Sequence, residues 1–288
     1  DDDEMEEEEE VAAEETKAVA DESVMRGAKH DDAVYAVAMG MVGGELMLLS
    51  GGGDDVGRLS RPGQEAKVLD GHSDSVSCVG FSQSGDWVAT GSYDGTVRIW
   101  KAATGQFERA LEGPGDVEWL AWHPRGDVLA AGAQDGTCWM WLATSGECLR
   151  VFVGHDGAVN CGLFTNDGNW IVTGSADGSC KLWGPKKGVC RQTWVLGSPV
   201  TDLESHPTDS DVFIAAEELG SASIFRRGKD RAVAKLDHSS DTSSAHDESS
   251  LVTAAALFGP ATWAATAGVD GDVVVWDYGG ASPVWRRR

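Results

Sequence analysis

The sequence has no long apolar run, few prolines and no secretory signal. No segment approaches the ~18 consecutive apolar residues that a membrane-spanning helix needs. No basic stretch followed by an apolar one opens the chain. The sequence therefore predicts no membrane insertion. Only 8 prolines occur beside 37 glycines and 12 tryptophans in 288 residues, and this composition favours a turn-rich β-structure.

The cysteines lack the spacing of a disulfide framework or a zinc site. Six cysteines occur, and none belongs to a C-x-x-C pair. They fall mostly within apolar alternating runs, which predicts buried thiols in a reducing compartment. We therefore expect a cytoplasmic protein, with the nucleus left open as a second location, and we expect neither a metal site nor a cofactor.

Basic residues are also scarce. The chain has 23 lysines and arginines against 47 acids, for a net charge of −24. This charge disfavours direct binding to nucleic acid or anionic membrane and favours a basic partner. Residues 1–25 carry 13 acids against Lys17, about −12, which is half of the total. Because like charges repel, we predict a disordered acidic tail over 1–25 that either maintains solubility or attracts a basic partner.

Two stretches of the chain repeat each other. The first, GHSDSVSCVGFSQSGDWVATGSYDGTVRIW, runs from Gly71 to Trp100, and the second, GHDGAVNCGLFTNDGNWIVTGSADGSCKLW, from Gly154 to Trp183. Period-two alternation of apolar residues predicts three half-buried strands in each copy. An Asp-Gly pair between the second and third strands predicts a tight turn. Four residues occupy identical offsets in the two copies: His72, Ser92, Asp94 and Trp100 in the first, and His155, Ser175, Asp177 and Trp183 in the second.

A serine, a histidine and an aspartate at fixed spacing suggest the triad of a hydrolase. The same set occurs twice, however, and one domain does not normally contain two triads. A structural network from the Trp indole N–H through Ser or Thr and His to the turn Asp would satisfy these polar atoms. We favour the network and predict no catalytic residue, since no phosphate-binding Gly loop or metal-ligand cluster indicates an enzyme either.

Weaker copies of the unit fill the rest of the chain. Their third strands are predicted to end near 60, 100, 141, 183, 225 and 276. A period of roughly 40–45 residues with Gly-His and Trp-Asp marks is the signature of WD repeats. Residues 26–288 therefore resemble the WD-repeat family, which implies an all-β propeller with six recognisable blades. The polar stretch 237–250, with His238 and His246, is predicted to be a solvated insertion and not a metal site.

One stretch resembles a particular family more closely. Residues 116–141, DVEWLAWHPRGDVLAAGAQDGTCWMW, are similar to the third unit of the angio-associated migratory cell protein family. That family includes a fungal chaperone of a newly made large-subunit ribosomal protein. The resemblance implies an eight-bladed propeller whose acidic face holds the basic N-terminus of a ribosomal protein. With six recognisable units, we expect either a truncated eight-bladed propeller, open between its first and last blades, or a ring that closes differently.

In WD propellers, residues just before each inner strand and just before the turn Asp lie on one rim and often bind partners. Here those positions are Asp31, Ser75, Tyr93, Asp116, Gln134, Asp156, Glu217 and Glu218. The acids among them predict a docking face for a basic peptide, with a merely solvated rim as the alternative. The resemblance thus implies a non-enzymatic chaperone in ribosome biogenesis. A generic scaffold or adaptor, such as a ubiquitin-ligase substrate receptor or a signalling or cell-migration scaffold, is left open.

Overall fold

A computed structural model describes residues 29–113, 115–238, 252–258, 262–269 and 271–287. These residues form six four-stranded antiparallel sheets. No helix occurs among them, and hence none that is long and apolar enough to cross a membrane. The acidic tail 1–25 and residues 239–250 of the predicted insertion lie outside the described residues.

Each sheet is a meander in which consecutive strands pair with each other. The first three sheets contain β1 (Val34–Val42), β2 (Glu45–Gly52), β3 (Gly57–Ser60) and β4 (Lys67–Leu69); β5 (Val76–Phe81), β6 (Trp87–Ser92), β7 (Thr96–Lys101) and β8 (Gln106–Glu112); and β9 (Val117–Trp122), β10 (Val128–Ala133), β11 (Thr137–Leu142) and β12 (Glu147–Val153). The next three contain β13 (Val159–Phe164), β14 (Ile171–Ser175), β15 (Ser179–Gly184) and β16 (Val189–Val195); β17 (Val200–Ser205), β18 (Val212–Glu217), β19 (Ser221–Arg226) and β20 (Ala234–Asp237); and β21 (Val252–Phe258), β22 (Trp263–Gly268), β23 (Val273–Asp277) and β24 (Ser282–Arg287).

The predicted Asp-Gly turns join the second and third strands. Gly95 has a φ of 81° and Gly178 a φ of 74°, a conformation that glycine adopts without a steric cost. Because all strands in a sheet are antiparallel, these turns lie at the same end as the loops that connect one sheet to the next. We call this end of the sheets the rim. The described residues of its loops are 29–33, 53–56, 70–75, 93–95, 113, 115–116, 134–136, 154–158, 176–178, 196–199, 218–220, 269 and 271–272.

Consecutive sheets pack through their first strands. β1 contacts β5, β5 contacts β9, β9 contacts β13, β13 contacts β17 and β17 contacts β21. At three of these junctions, a valine of the inner strand packs onto a glycine of the preceding sheet. A Cβ on Gly174 would lie 2.5 Å from Val200, and a Cβ on Gly51 would lie 2.5 Å from Val76. This sequential packing of four-stranded meanders confirms the all-β propeller with six blades.

One face of the first blade is not covered by another blade. The first residue of the inner strand is valine in every blade; it is 0% exposed in the other five, whereas Val34 is 50% exposed. Val37 and Met39 are 77% and 70% exposed. Among the described residues, no packing of comparable extent joins the first blade to the sixth. The propeller is therefore open between these two blades.

The cysteines are all free, but they are not uniformly buried. Cys78, Cys138, Cys161 and Cys180 are buried, as predicted, whereas Cys148 is exposed and Cys190 is partly exposed. The prediction of buried thiols was wrong for Cys148 because it lies on an outermost strand, β12, most of whose residues are exposed.

Candidate protein-binding rim and the networks beneath it

A buried hydrogen-bond network connects the second blade to its rim turn. His72 Nδ1 lies 2.9 Å from Asp94 Oδ2, and His72 Nε2 lies 2.8 Å from Thr90 Oγ1. The Trp100 indole N–H donates to the same Thr90 oxygen at 3.1 Å. The Asp94 carboxylate also accepts the backbone N–H groups of Ser73 and Thr96. One aspartate thus fixes the loop before the inner strand and the turn of its own blade.

The fourth blade repeats this geometry. His155 lies 2.8 Å from both Asp177 Oδ2 and Thr173 Oγ1. The Trp183 indole N–H donates to Thr173 at 2.8 Å. Asp177 accepts the backbone N–H of Asp156 at 3.0 Å. Each histidine ring is buried and bonded through both nitrogens, so the set holds the fold and leaves no free base beside a nucleophile.

In the second and fourth blades, the bridging hydroxyl belongs to a threonine that the sequence analysis did not identify. Thr90 and Thr173 bridge histidine and tryptophan, whereas the predicted Ser92 and Ser175 lie beside the network. Ser92 donates to the Asp74 carbonyl at 2.8 Å and accepts the Asp94 N–H at 3.0 Å. The serines therefore fix the rim turns but do not connect His to Trp.

The sixth blade contains a version of the network that includes His238. His238 Nδ1 lies 2.7 Å from Thr266 Oγ1, and the Trp276 indole N–H donates to that oxygen at 2.9 Å. His238 is fully buried. Placing His238 in a solvated insertion was therefore wrong: Asp237 ends β20, and His238 begins the network of the next blade. His246 lies outside the described residues.

The first and fifth blades depart from the pattern in different ways. In the first, His30 lies 2.7 Å from both Asp54 and Ser50, so a serine takes the threonine position. In the fifth, all four network positions are apolar. By register with the second blade, these positions are Leu196, Ala215, Leu219 and Phe225.

The networks of the second and fourth blades shift the pKa values of their histidines and aspartates. Burial lowers the pKa of His72 and of His155, and the neighbouring aspartates offset this only in part. Burial alone would raise the pKa of Asp177. Hydrogen bonds from Ser179, His155 and the Asp156 N–H outweigh it and lower that pKa to about 2. In the second and fourth blades, the histidines are therefore neutral and the aspartates ionised at neutral pH.

Replacing His155 or Asp177 with alanine is expected to lower the free energy of unfolding by ~1–3 kcal/mol, because buried partners lose their hydrogen bonds. Urea unfolding at neutral pH measures the change. Asp156→Ala is the matched control, since only the backbone N–H of Asp156 enters the network. Equal stability of all three variants and the wild type would contradict a structural role.

The same variants test the pKa shifts. Unfolding returns each histidine to its ordinary pKa of 6.5, so below that pH the unfolded chain binds protons that the native histidines do not. The unfolded state then holds more protons, and stability must fall as the pH drops below 6.5. As the pH is lowered from neutral to mildly acidic, the free energy of unfolding of His155→Ala should fall less steeply than that of the wild type. An unchanged slope would contradict a lowered pKa of His155.

Most of the predicted binding residues lie on the rim with accessible side chains. Asp31, Gln134 and Asp156 are exposed, and Ser75, Tyr93, Asp116 and Glu218 are partly exposed. Glu217 differs: it is the last residue of β18 and is 2% exposed. Its placement as a surface rim residue was wrong, because its side chain lies inside the blade.

The rim loops are strongly acidic. Their described residues include one lysine, Lys29, and no arginine. The acids are Asp31, Asp32, Asp54, Asp55, Asp70, Asp74, Asp94, Asp116, Asp135, Asp156, Asp177, Glu218 and Asp272. Some of these carboxylates, such as those of Asp94 and Asp177, form hydrogen bonds within their blades, whereas others face solvent.

Glu118 is a rim-proximal acid that the sequence analysis did not select. It occupies the bulge of β9, where a register shift separates Val117 from Trp119. At the same bulge of other blades, Ser77, Asn160 and Thr201 each donate to the first carbonyl of the next inner strand. An ionised carboxylate cannot donate such a bond.

Glu118 consequently has no hydrogen-bond or ion-pair partner among the described residues. Burial, followed by repulsion from Asp116, raises its pKa. The pattern of donors at the other bulges is the sequence signal that would have identified Glu118. Its unpaired carboxylate adds to the negative charge near Asp116.

The described residues include no group of three or more His, Cys, Asp or Glu that could hold a metal ion. The rim therefore offers acidic groups for contact with a partner, and its described residues do not pair a nucleophile with a free base.

Comparisons with known proteins match this architecture. The family model "WD domain, G-beta repeat" matches residues 63–101, 105–141, 146–184 and 238–277, just over half of the chain. The angio-associated migratory cell protein of Homo sapiens is 36% identical over 151 residues, 51% of this chain and 34% of that protein. The protein of that name from Canis lupus familiaris is 37% identical over the same length.

A second group of relatives matches a shorter region. Ribosome biogenesis protein BOP1 of Rattus norvegicus is 42% identical over 60 residues, 21% of this chain and 8% of that protein. The matches thus span about a third of the length of the first two relatives and less than a tenth of the third.

Proposed function

This chain belongs to the WD-repeat family of β-propellers, and from that premise we propose that its acidic rim binds the basic segment of a newly made large-subunit ribosomal protein. WD-repeat propellers are protein-interaction scaffolds and are generally not enzymes. The proposal specifies the partner and the role, namely a chaperone that acts during ribosome assembly in the cytoplasm or the nucleus.

The charge of the rim is the observation that carries the proposal. The described rim loops of all six blades contain acids, whereas Lys29 is the one lysine or arginine among their described residues. The carboxylates of Asp116, Asp156 and Glu218 have no side-chain hydrogen bond among the described residues and remain available to a partner. A surface of one sign attracts a partner of the opposite sign and speeds encounter.

The relatives agree with this choice in part. One set carries the name ribosome biogenesis protein, which points to ribosome assembly. A ribosomal protein that has not yet reached RNA exposes positive charge that binds nucleic acid nonspecifically. An acidic rim would mask this charge, and the 13 acids of residues 1–25 would add to the attraction.

The test is calorimetry of the full chain with synthetic basic N-terminal segments of large-subunit ribosomal proteins. Binding is expected, and it should weaken on the order of tenfold as salt rises from about 0.01 M to about 0.15 M, because the screening length falls from ~30 Å to ~8 Å. The control is the same peptides with glutamine in place of lysine and arginine, which should not bind.

Absence of binding at both salt concentrations by a folded chain would leave the adaptor hypothesis ahead. That hypothesis predicts instead that ligase or kinase subunits co-purify with the protein, with no dependence on a basic ribosomal segment.

A further inference from the structure

The fifth blade has a cavity at the rim where three other blades place a His–Asp pair. The cavity measures about 260 Å³ and is lined by the loop 196–198, by Glu217, Leu219 and Ser221, and by two residues of β20. The register places Leu196 where the second blade has His72, and Leu219 where it has Asp94. The polar pair is therefore absent from this blade.

A buried carboxylate forms one wall of this cavity. Glu217 is 2% exposed and lies where the second blade has Ser92. The Ser223 hydroxyl donates to Glu217 Oε1 at 2.5 Å. Lys235 Nζ lies 3.4 Å from Glu217 Oε2, and the Lys235 side chain is 58% exposed. The only cation that contacts Glu217 among the described residues is thus one that extends largely into solvent.

A second observation also points to a ligand. Ser198 lines the cavity and is 5% exposed, and its hydroxyl has no hydrogen-bond partner among the described residues. An unsatisfied buried hydroxyl is unfavourable unless a partner arrives. A ligand with several N–H donors would bond to the Ser198 oxygen and to Glu217 together.

The charges of the lining select the sign of that ligand. Glu217 is a buried carboxylate, and Lys235, the cation that contacts it, is 58% exposed and can leave, so the lining favours a cationic ligand. We propose that this cavity is the socket for one lysine or arginine side chain of the basic segment bound at the rim. The inference rests on the proposed function and adds to it the residues that hold one specific side chain.

In the free protein, Lys235 contacts Glu217 where the partner's cation would bind in the complex. In the free protein its ammonium neutralises the buried Glu217 carboxylate. Because the Lys235 side chain is mostly exposed, its release into water costs little when another cation enters. An incoming guanidinium would provide additional N–H donors in a planar fork that fits a carboxylate.

Two substitutions with opposite expected effects test the socket. Glu217→Gln removes the charge that holds the incoming cation, and the affinity for the basic peptide should fall about tenfold. Lys235→Ala removes the competing cation, and the affinity should rise about threefold to tenfold. Calorimetry of the full chain with the peptide used above measures both changes at a fixed salt concentration.

Lys187→Ala is the matched control, because it removes the same charge at the opposite end of the fourth blade, in the loop between β15 and β16. A rise with Lys235→Ala that exceeds the rise with Lys187→Ala supports the socket, even if Glu217→Gln does not fold. Equal values for the two lysine variants overturn the socket while the rim proposal stands. Absence of peptide binding by the wild type overturns both.

Discussion

Lysine in place of both Val37 and Met39 is expected to convert a self-associating protein into a monomeric one. These side chains are 77% and 70% exposed on the uncovered face of the first blade. The sixth blade also exposes apolar side chains, with Trp263 at 45% and Trp285 at 48%. Exposed apolar surface of this extent promotes association, because burying one such side chain contributes about 1.5–3 kcal/mol.

The double variant should therefore weaken self-association by on the order of 100-fold or more. Light scattering over a wide range of protein concentration measures the change. Val195→Lys is the matched control, since Val195 is 83% exposed but ends the outermost strand of the fourth blade, away from the uncovered face. A wild-type chain that is monomeric at every concentration would contradict this prediction.

The blades could be predicted because their signals are local. Alternation in β5 and β6 and the Asp94-Gly95 turn depend on neighbouring residues, and both recur about every 40 residues. The exposure of Val34 could not be predicted in this way. Its sequence neighbourhood resembles that of Val76, yet one is 50% exposed and the other is buried. The difference arises from whether a blade lies in front of it.

The site was predicted less completely than the fold. Ser92 and Thr90 both lie on β6 near the histidine, and spacing alone does not decide which hydroxyl faces His72. In the second blade, a short loop separates the Gly-His pair from the inner strand, whereas a long polar stretch of sequence separates His238 from β21. The sequence therefore did not identify His238 as a member of the network of the sixth blade. Glu217 has an acidic side chain at a turn, which usually indicates solvent exposure.

Reversing the charge of Asp116, Asp156 and Glu218 together is expected to abolish most affinity for the basic peptide. Each lysine would repel the cation that the native acid attracts, and the combined loss should reach about 3 kcal/mol, on the order of 100-fold. Since none of the three carboxylates has a side-chain hydrogen bond among the described residues, the fold should persist. Circular dichroism and urea unfolding verify that it does.

The control is an equal charge change at the opposite end of the blades. Glu65, Asp86 and Glu147 are exposed there, and their replacement by lysine alters the net charge by the same amount. If both triple variants lose affinity equally, binding depends on overall charge and the rim has no special role.

The rates separate the rim from the tail. Long-range attraction acts before contact, so deleting residues 1–25, with about half of the net charge of −24, should mainly slow association. Contacts at the rim persist in the complex, so the rim variant should mainly speed dissociation. Stopped-flow measurements on both variants distinguish the two effects. A tail deletion that speeds dissociation as much as the rim variant does would place the main contacts in the tail.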